Sequence, residues 1–453
     1  MRRLYTIIPA VVFSFALSAQ EIDFSVIDGP VKPVNSVGQP PSTSFGGGEH
    51  FHYLTEAGVK YSRLHDVRGT FGGNLFVDIP NLFRDFDADE NDPACYDFTF
   101  TDILLQNLVK AGVEPYFRLG VTIENAHDIK SYRIYPPKDF AKWARICEHV
   151  IMHYNYGWAD GFHMGITHWE IWNEPENYES PEDNEMWRGT FDEYMDLYGV
   201  ASTHLKSRFP ELMIGGYGSC GFSAIGEGLV KRPDCSSREA NFLNCFLAFL
   251  ERARKEHWPL DFFSCHSYAS PRNALLQFEF ARKTLDEYGF TKTQLSVNEW
   301  LPAPSMSKLN TARQAAEVMA EIIGFQNGCV DDAELYDARM TGGTYSPLFT
   351  PETGKPRKAY YSLRAFNELK KLGYAVKAPH MPDGIYLAAA TDRKGKAAVL
   401  ISNISGSDWK NTLEFGKFSP DLALVIDDDN NLALLSDSSV LHNNSVMLIY
   451  LSK

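Results

Sequence analysis

The sequence predicts an α/β fold, a (β/α)8 TIM barrel followed by a small C-terminal all-β sandwich domain. Two observations carry that prediction: a strict alternation of short apolar runs with longer stretches of helical spacing, and a change of texture after Gly373 to short β-like runs with no helical period between them. The unit count narrows it further. Eight strand-plus-helix units suggest a closed barrel, the alternative being a doubly wound open sheet, and no GxGxxG or Walker pattern favours a nucleotide site in an open sheet.

In chain order, MRRLYTIIPAVVFSFALSAQE carries Arg2 and Arg3, an apolar run from Leu4 to Leu17, and small residues up to Ala19. That is the order of a secretory signal peptide, and the run is too short for a membrane span. Residues 1–19 are therefore expected to be removed and the chain to work in a periplasm or outside the cell. No cysteine precedes Cys95, so no lipid anchor is expected. Residues 20–373 are read as the barrel. Its strands are a first one in VKPVNSVGQ, then YSRLH, EPYFRLG, THWEIWN, LMIGGYG, DFFSCHSY, QLSVNEW and AELYD. Its helices include FTDILLQNLVKAG, FAKWARICEHVIMHY, FDEYMDLYGVASTHLKSRF, ANFLNCFLAFLERARKEH, ARKTLDEYGF, ARQAAEVMAEIIGFQNG and AYYSLRAFNELKKLG, several of them stopped by Gly or Pro. Residues 374–453 form the β-domain, with GIYLAAATD, KAAVLISN, LALVIDDD, NLALLSD and SVMLIYLS as strands, and the Pro-rich stretch before residue 45 is a candidate to add one more.

Composition bounds the partners. The chain has 453 residues, 44% hydrophobic and 22% charged, which is ordinary globular composition. A formal net charge of -15 repels nucleic-acid backbones and anionic membranes alike, so a neutral small substrate fits better. Seven cysteines in a chain this long are no disulfide framework. Cys147, Cys245 and Cys265 read as buried small hydrophobes, and Cys220 and Cys235 are the pair placed to bridge after export.

In a parallel barrel the active site lies at the C-terminal strand ends. The polar groups there are Arg63 and His65, Arg118, Asn173 and Glu174, His266 and Tyr268, Asn298, Glu299 and Trp300, and Asp337 and Arg339. Glu174 and Glu299 stand out, each preceded by Asn, bordered by Trp and ending an apolar run. Two carboxylates in an aromatic cleft are what glycoside hydrolysis needs, one protonated to donate to the leaving oxygen and one ionised to attack or to activate water. Glu170 shares strand parity with Glu174 and is expected inside the barrel, paired with Arg63 or Arg118. Glu176, past Pro175, is expected to be a solvated loop charge. His50 and His52 beside Glu49 lack a third ligand, and His149 and His153 lack the HExxH glutamate, so neither metal nor cofactor is expected.

WNEPE after strand four and VNEW after strand seven resemble the acid/base and nucleophile motifs of clan A retaining glycoside hydrolases. AGVKYSRLHD, YDFTFTDILLQNLVKAGVEPYFRLG, DFFSCHSY and GKPRKAYYSLRAFNEL are similar to family 39, which holds β-xylosidases and α-L-iduronidases; the resemblance runs from about residue 33 to 373. It implies Glu174 as general acid/base, Glu299 as nucleophile, and Asn173 on the sugar 2-hydroxyl. It also implies that His266 and Tyr268 line the subsite with Tyr268 bonded to the nucleophile, that His65 and Trp300 contact the sugar, and that Arg63 supports the carboxylates. The negative charge of Glu299 is expected to raise the pKa of Glu174. Two segments depart from the family pattern, the acidic ENYESPEDNEMW and the stretch DARMTGGTYSPLF after strand eight. Xylose, arabinopyranose, galactose and a uronate all stay open as the sugar, the last through Arg118 and Arg339. The expected reaction is exo-acting hydrolysis of β-xyloside-like plant-wall glycosides. An endo-acting clan relative and a non-catalytic glycan-binding barrel are the alternatives, and the intact glutamate pair speaks against the second.

Overall fold

The computed structural model describes residues 20–42, 47–65, 77–121, 134–340 and 342–453. Eight parallel strands close in chain order into a barrel: β1 (Ser36–Gly38), β2 (Tyr61–Leu64), β3 (Glu114–Leu119), β4 (His168–Ile171), β5 (Met213–Ser219), β6 (Phe262–Ser267), β7 (Gln294–Trp300) and β8 (Asp332–Leu335). The closed ring decides for the barrel over the open sheet. A helix follows each strand or its loop except that α1 (His52–Glu56) is a single short turn region after β1; the others are α2 (Thr99–Lys110), α3 (Phe140–Tyr156), α4 (Phe191–Arg208), α5 (Ser237–Glu256), α6 (Pro271–Glu287), α7 (Ala312–Asn327) and α8 (Lys358–Leu372). Local chemistry sets their ends. Thr190 with Glu193 and Ser236 with Glu239 form capping boxes at α4 and α5, and Gly157 and Gly373 close α3 and α8 in the left-handed region. Helix α6 begins at Pro271, ten residues before the periodic stretch ARKTLDEYGF, because Pro at the first helical position and the buried Ala274 and Phe278 extend the same face backwards.

Strand alternation sorts the barrel wall into two chemistries. Phe117, Trp169, Ile171, Ile214, Phe263, Leu295, Val297, Ala333 and Leu335 belong to the apolar core between strands and helices. The opposite parity places Arg63, Tyr116, Glu170, Ser264, Ser296, Asn298, Asp332 and Glu334 in the barrel interior, all buried. The interior is thus polar, and its hydrogen bonds run across it: Tyr116 donates to Ser296 (3.3 Å) and Ser296 donates to Asp332 (2.5 Å).

After Gly373 the chain builds β9 (Tyr374–Val376), β10 (Ile385–Thr391), β11 (Lys396–Asn403), β12 (Ser419–Ile426), β13 (Asn431–Leu434) and β14 (Ser445–Ser452). They form one seven-stranded sheet whose last edge is the N-terminal strand Ile27–Pro30, paired antiparallel to β9. The Pro-rich N-terminal stretch therefore supplies a strand there, as its extended character suggested. Leu387, Ala389, Val399 and Ile401 point into a second core with Ile22, Phe24 and Trp409, whereas Ala388, Ala390, Ala398 and Leu400 pack on the barrel helices. Ser402 donates to the Ala316 carbonyl of α7 at 2.7 Å, tying the two layers. All seven cysteines are free thiols, so Cys220 and Cys235 do not bridge. No helix among the described residues is long and apolar enough to cross a membrane. The stretch read as a signal peptide, residues 1–19, lies outside the described residues.

Glu321 of α7 is 1% exposed, and neither of its carboxyl oxygens has a hydrogen-bond partner among the described residues. Burial, with Glu317 adding to it, pushes its pKa well above the usual carboxylate range. The folded protein therefore binds a proton there that unfolding releases. This contribution to stability is full below the unfolded pKa of about 4.3 and is lost as pH rises through the folded value. Glu321→Gln is expected to leave the melting temperature unchanged near pH 4 and to raise it by about 2 °C or more at pH 8. Parallel melting curves across pH for the two proteins would contradict this.

Candidate active site

The site is built around Arg63, which is 1% exposed at the end of β2. Its Nε donates to Glu170 at 2.8 Å, its Nη1 to Glu299 at 3.1 Å and its Nη2 to the Asn173 amide oxygen at 2.5 Å. One guanidinium thus joins β2, β4 and β7. Glu170 also accepts from Ser264 and from Asn298, both at 2.6 Å, so this buried acid has three donors. The two Asn-Glu pairs are not equivalent. Asn298 turns inward to Glu170, whereas Asn173 gives its oxygen to Arg63 and keeps its Nδ2 without a partner among the described residues.

Glu299 and His266 are register partners on β7 and β6. His266 Nδ1 lies 2.7 Å from Glu174 Oε1, and its Nε2 stands 3.5 Å from Glu299 Oε2, an ionic contact rather than a hydrogen bond. Tyr268 donates to Glu299 at 2.6 Å, and Asn177 donates to Glu174 at 3.1 Å. The backbone carrying Glu174 is strained: Trp172 and Glu174 hold φ of 72° and 44°. Trp172 is fixed by donating from its indole to the Met186 carbonyl, and the Glu174 N–H donates to Gly218 of β5 at 3.0 Å.

Charge follows contact. Burial opposes a charge on His266, but Glu299 and Glu174 outweigh it and raise its pKa. Burial likewise opposes the charge of Glu174, but the His266 hydrogen bond and the charges of His266 and Arg63 hold it below the usual carboxylate range. Glu299 is lifted, by burial first and by Glu174, against the pull of His266 and Arg63. The expected direction for Glu174 is therefore reversed, because the hydrogen bond and charge of His266, 2.7 Å away, outweigh what raises it. Burial, then Arg118 and Arg63, hold His65 well below its ordinary value, so it is a neutral ring.

Three further expectations change. Trp300 does not join the mouth: its fully buried ring packs edge-on against Phe325 of α7 at 5.0 Å, because a register shift between Val297 and Trp300 breaks the alternation that would have turned it inward with Asn298. Glu176 is not solvated but 1% exposed, accepting from Ser219 Oγ and the Cys220 N–H, each at 2.8 Å. Arg118 pairs with Asp78 at 2.7 Å and Arg339 with Asp337 at 2.5 Å, which leaves neither as a ready partner for an acidic sugar. Sequence reasoning missed Asn177 and Tyr345. Asn177 was visible beside the NEPE run. Tyr345, in the divergent segment after β8, sets its half-exposed ring 5.2 Å from Tyr268, and burial with the charges of Glu299 and Glu174 raises its pKa. Among the described residues no group of three His, Cys, Asp or Glu side chains is placed to hold a metal. His153 instead stacks on Phe98 at 3.7 Å, a packing role.

A parallel (β/α)8 barrel with two acids converging at its C-terminal mouth defines the class of barrel glycoside hydrolases. The family model for Glycosyl hydrolases family 39 matches residues 51–294, more than half of the chain, and the chain belongs to that family. It is 25% identical over 250 residues to a β-xylosidase of Geobacillus stearothermophilus, a match covering 52% of this chain and 42% of that relative. It is 28% identical over 173 residues to a β-xylosidase of Caldicellulosiruptor saccharolyticus, covering 36% and 31%. The matches thus span less than half the length of either curated relative. Among solved structures, a glucosidase from Croceicoccus marinus superposes with a TM-score of 0.74 at 19% identity, covering 96% of this chain and 99% of that one. A monomeric β-xylosidase from Caulobacter crescentus gives 0.66 at 17% identity, covering 95% and 99%. At these identities the likeness is one of fold.

Arg63→Met should cost about 3–5 kcal/mol in urea unfolding, because it strands Glu170 and Glu299 without their cation. Adding Glu170→Gln to that variant should recover part of the loss. A single-variant cost below about 1 kcal/mol would show that Arg63 does not hold the site together.

Proposed function

We propose that the chain is a retaining glycoside hydrolase that releases sugar units from the ends of neutral, β-xyloside-like plant-wall glycosides. The observation that carries this reading is the meeting of Glu174 and Glu299, from β4 and β7, on the single imidazole of His266. The β-xylosidase relatives support the sugar class. The ion pairs already made by Arg118 and Arg339 favour a neutral sugar over a uronate. The N-terminal stretch read as an export signal supports an activity in a periplasm or outside the cell.

In this mechanism the catalytic proton is stored on the Glu174–His266 pair. As a glycoside enters, the proton moves along the 2.7 Å contact to Glu174, leaving His266 neutral. Glu299, its charge held by Arg63 and by the Tyr268 hydroxyl, attacks the anomeric carbon while Glu174 protonates the leaving oxygen. The glycosidic bond breaks, an ester to Glu299 forms, and Glu174 is left ionised. A water then gives its proton to Glu174 and its oxygen to the anomeric carbon, Glu299 departs as carboxylate, and the configuration is retained. Asn173 presents its free Nδ2 to the 2-hydroxyl, and the neutral His65 supplies a second polar contact to the ring.

With an aryl glycoside carrying a good leaving group, Glu299→Ala should lose at least about 10⁴-fold in kcat on every substrate. Glu174→Ala should keep a measurable first step and regain turnover with added azide, which needs no general base. Identical behaviour of the two variants would overturn the division of roles.

A further inference from the structure

Glu176 stands outside this mechanism, yet it is one of the most deeply buried acids near the mouth. Its Oε1 accepts from Ser219 Oγ and from the Cys220 N–H, each at 2.8 Å, and its Oε2 is buried without a partner among the described residues. These contacts join the turn after β4, where Glu174 holds a strained φ of 44°, to the end of β5. We propose that Glu176 is a positioning residue for the reaction: its carboxyl clamps the turn carrying Glu174 onto β5 and sets an ionisable charge beside the Glu174–His266 pair, so that this pair keeps its proton to higher pH. The inference rests on Glu174 being the acid/base.

Burial, with the charge of Glu174 adding to it, pushes Glu176 up to about 7. The groups around it are few. Tyr217 faces it from β5, Cys220 from just past the end of β5, Tyr194 from α4 and Cys245 from α5, and burial raises the pKa of each, so all four stay neutral at pH 7. Arg238 of α5 is engaged with Asn177, donating to both its carbonyl and its side-chain oxygen. The charge that Glu176 acts on is therefore the carboxylate of Glu174. Below pH 7 Glu176 is neutral and exerts no field. Above it, its anion repels a second negative charge and delays loss of the proton from the Glu174–His266 pair.

Two variants separate clamp from charge. Glu176→Gln keeps an oxygen for Ser219 and Cys220 but has no charge, and the alkaline limb of kcat/KM should move by about 1 pH unit toward acid. Glu176→Asp keeps the charge on a chain too short for both donors, and should lower kcat about tenfold with the limb in place. If Glu176→Gln does not fold, Ser219→Ala is the second probe: it withdraws one donor, raises the Glu176 pKa and should move the limb in the same direction by a smaller amount. An unmoved limb in Glu176→Gln, or in Ser219→Ala where that is the variant measured, overturns the inference. Azide rescue of Glu174→Ala, measured alongside, separates the two levels: rescue with an unmoved limb removes the role of Glu176 alone, and no rescue removes the acid/base assignment beneath it.

Discussion

A single buried cation constrains this site. Arg63 reaches Glu170, Glu299 and Asn173 from the barrel axis, and no two of those three share a contact that would replace it. Its planar fork is what allows one residue to satisfy three partners on two strands, which a lysine could not do. The consequence is both structural and chemical. It compensates Glu170 in the barrel interior, gives Glu299 a counter-charge, and holds the Asn173 amide through its oxygen, which leaves the Nδ2 donor without a partner among the described residues.

Below that layer the interior is richer in acids than in cations. Glu334 is lifted well above the usual range, by burial first and then by Asp332, and Asp332 is pushed up to about 7. Glu174, which His266 reaches, is held low, whereas burial away from any such partner pushes Glu334 and Asp332 up. Glu174 and Glu299 therefore differ from the other acids by their contacts and not by their residue type. The pair also differs internally: Glu174 shares its proton with an imidazole 2.7 Å away, while Glu299 relies on Arg63 and Tyr268. That asymmetry is what lets two like groups take unlike roles.

The barrel was legible because its strands are bounded, short and apolar, and because each strand end carries a polar group. Strand parity put Glu170 inside the barrel and left Arg63 or Arg118 as its cation, and the structure selects Arg63. What failed was legible only through partners distant in the chain. Glu176 reads as a loop charge after a proline, and its burial comes from Ser219 and Cys220, more than forty positions away. The pKa of Glu174 depends on His266, whose distance no spacing in the sequence conveys. Trp300 fails for a related reason: alternation from Ser296 and Asn298 puts it inside the barrel, and only the register shift between Val297 and Trp300 against β8 turns Glu299 inward and Trp300 to the helix side of β7. The start of α6 was obscured because PRNALLQFEF mixes aromatic and polar residues without the even spacing of the turns that follow it.

In the proposed mechanism Glu299 forms the bond to the sugar and Glu174 does not. A 2-deoxy-2-fluoro glycoside with a good leaving group slows release of the covalent intermediate, so the labelled protein can be digested and its peptides weighed. The account predicts one added sugar per chain, on the peptide holding Glu299, with loss of activity in step with labelling. A label on the peptide holding Glu174, or inactivation with no covalent sugar, would contradict it.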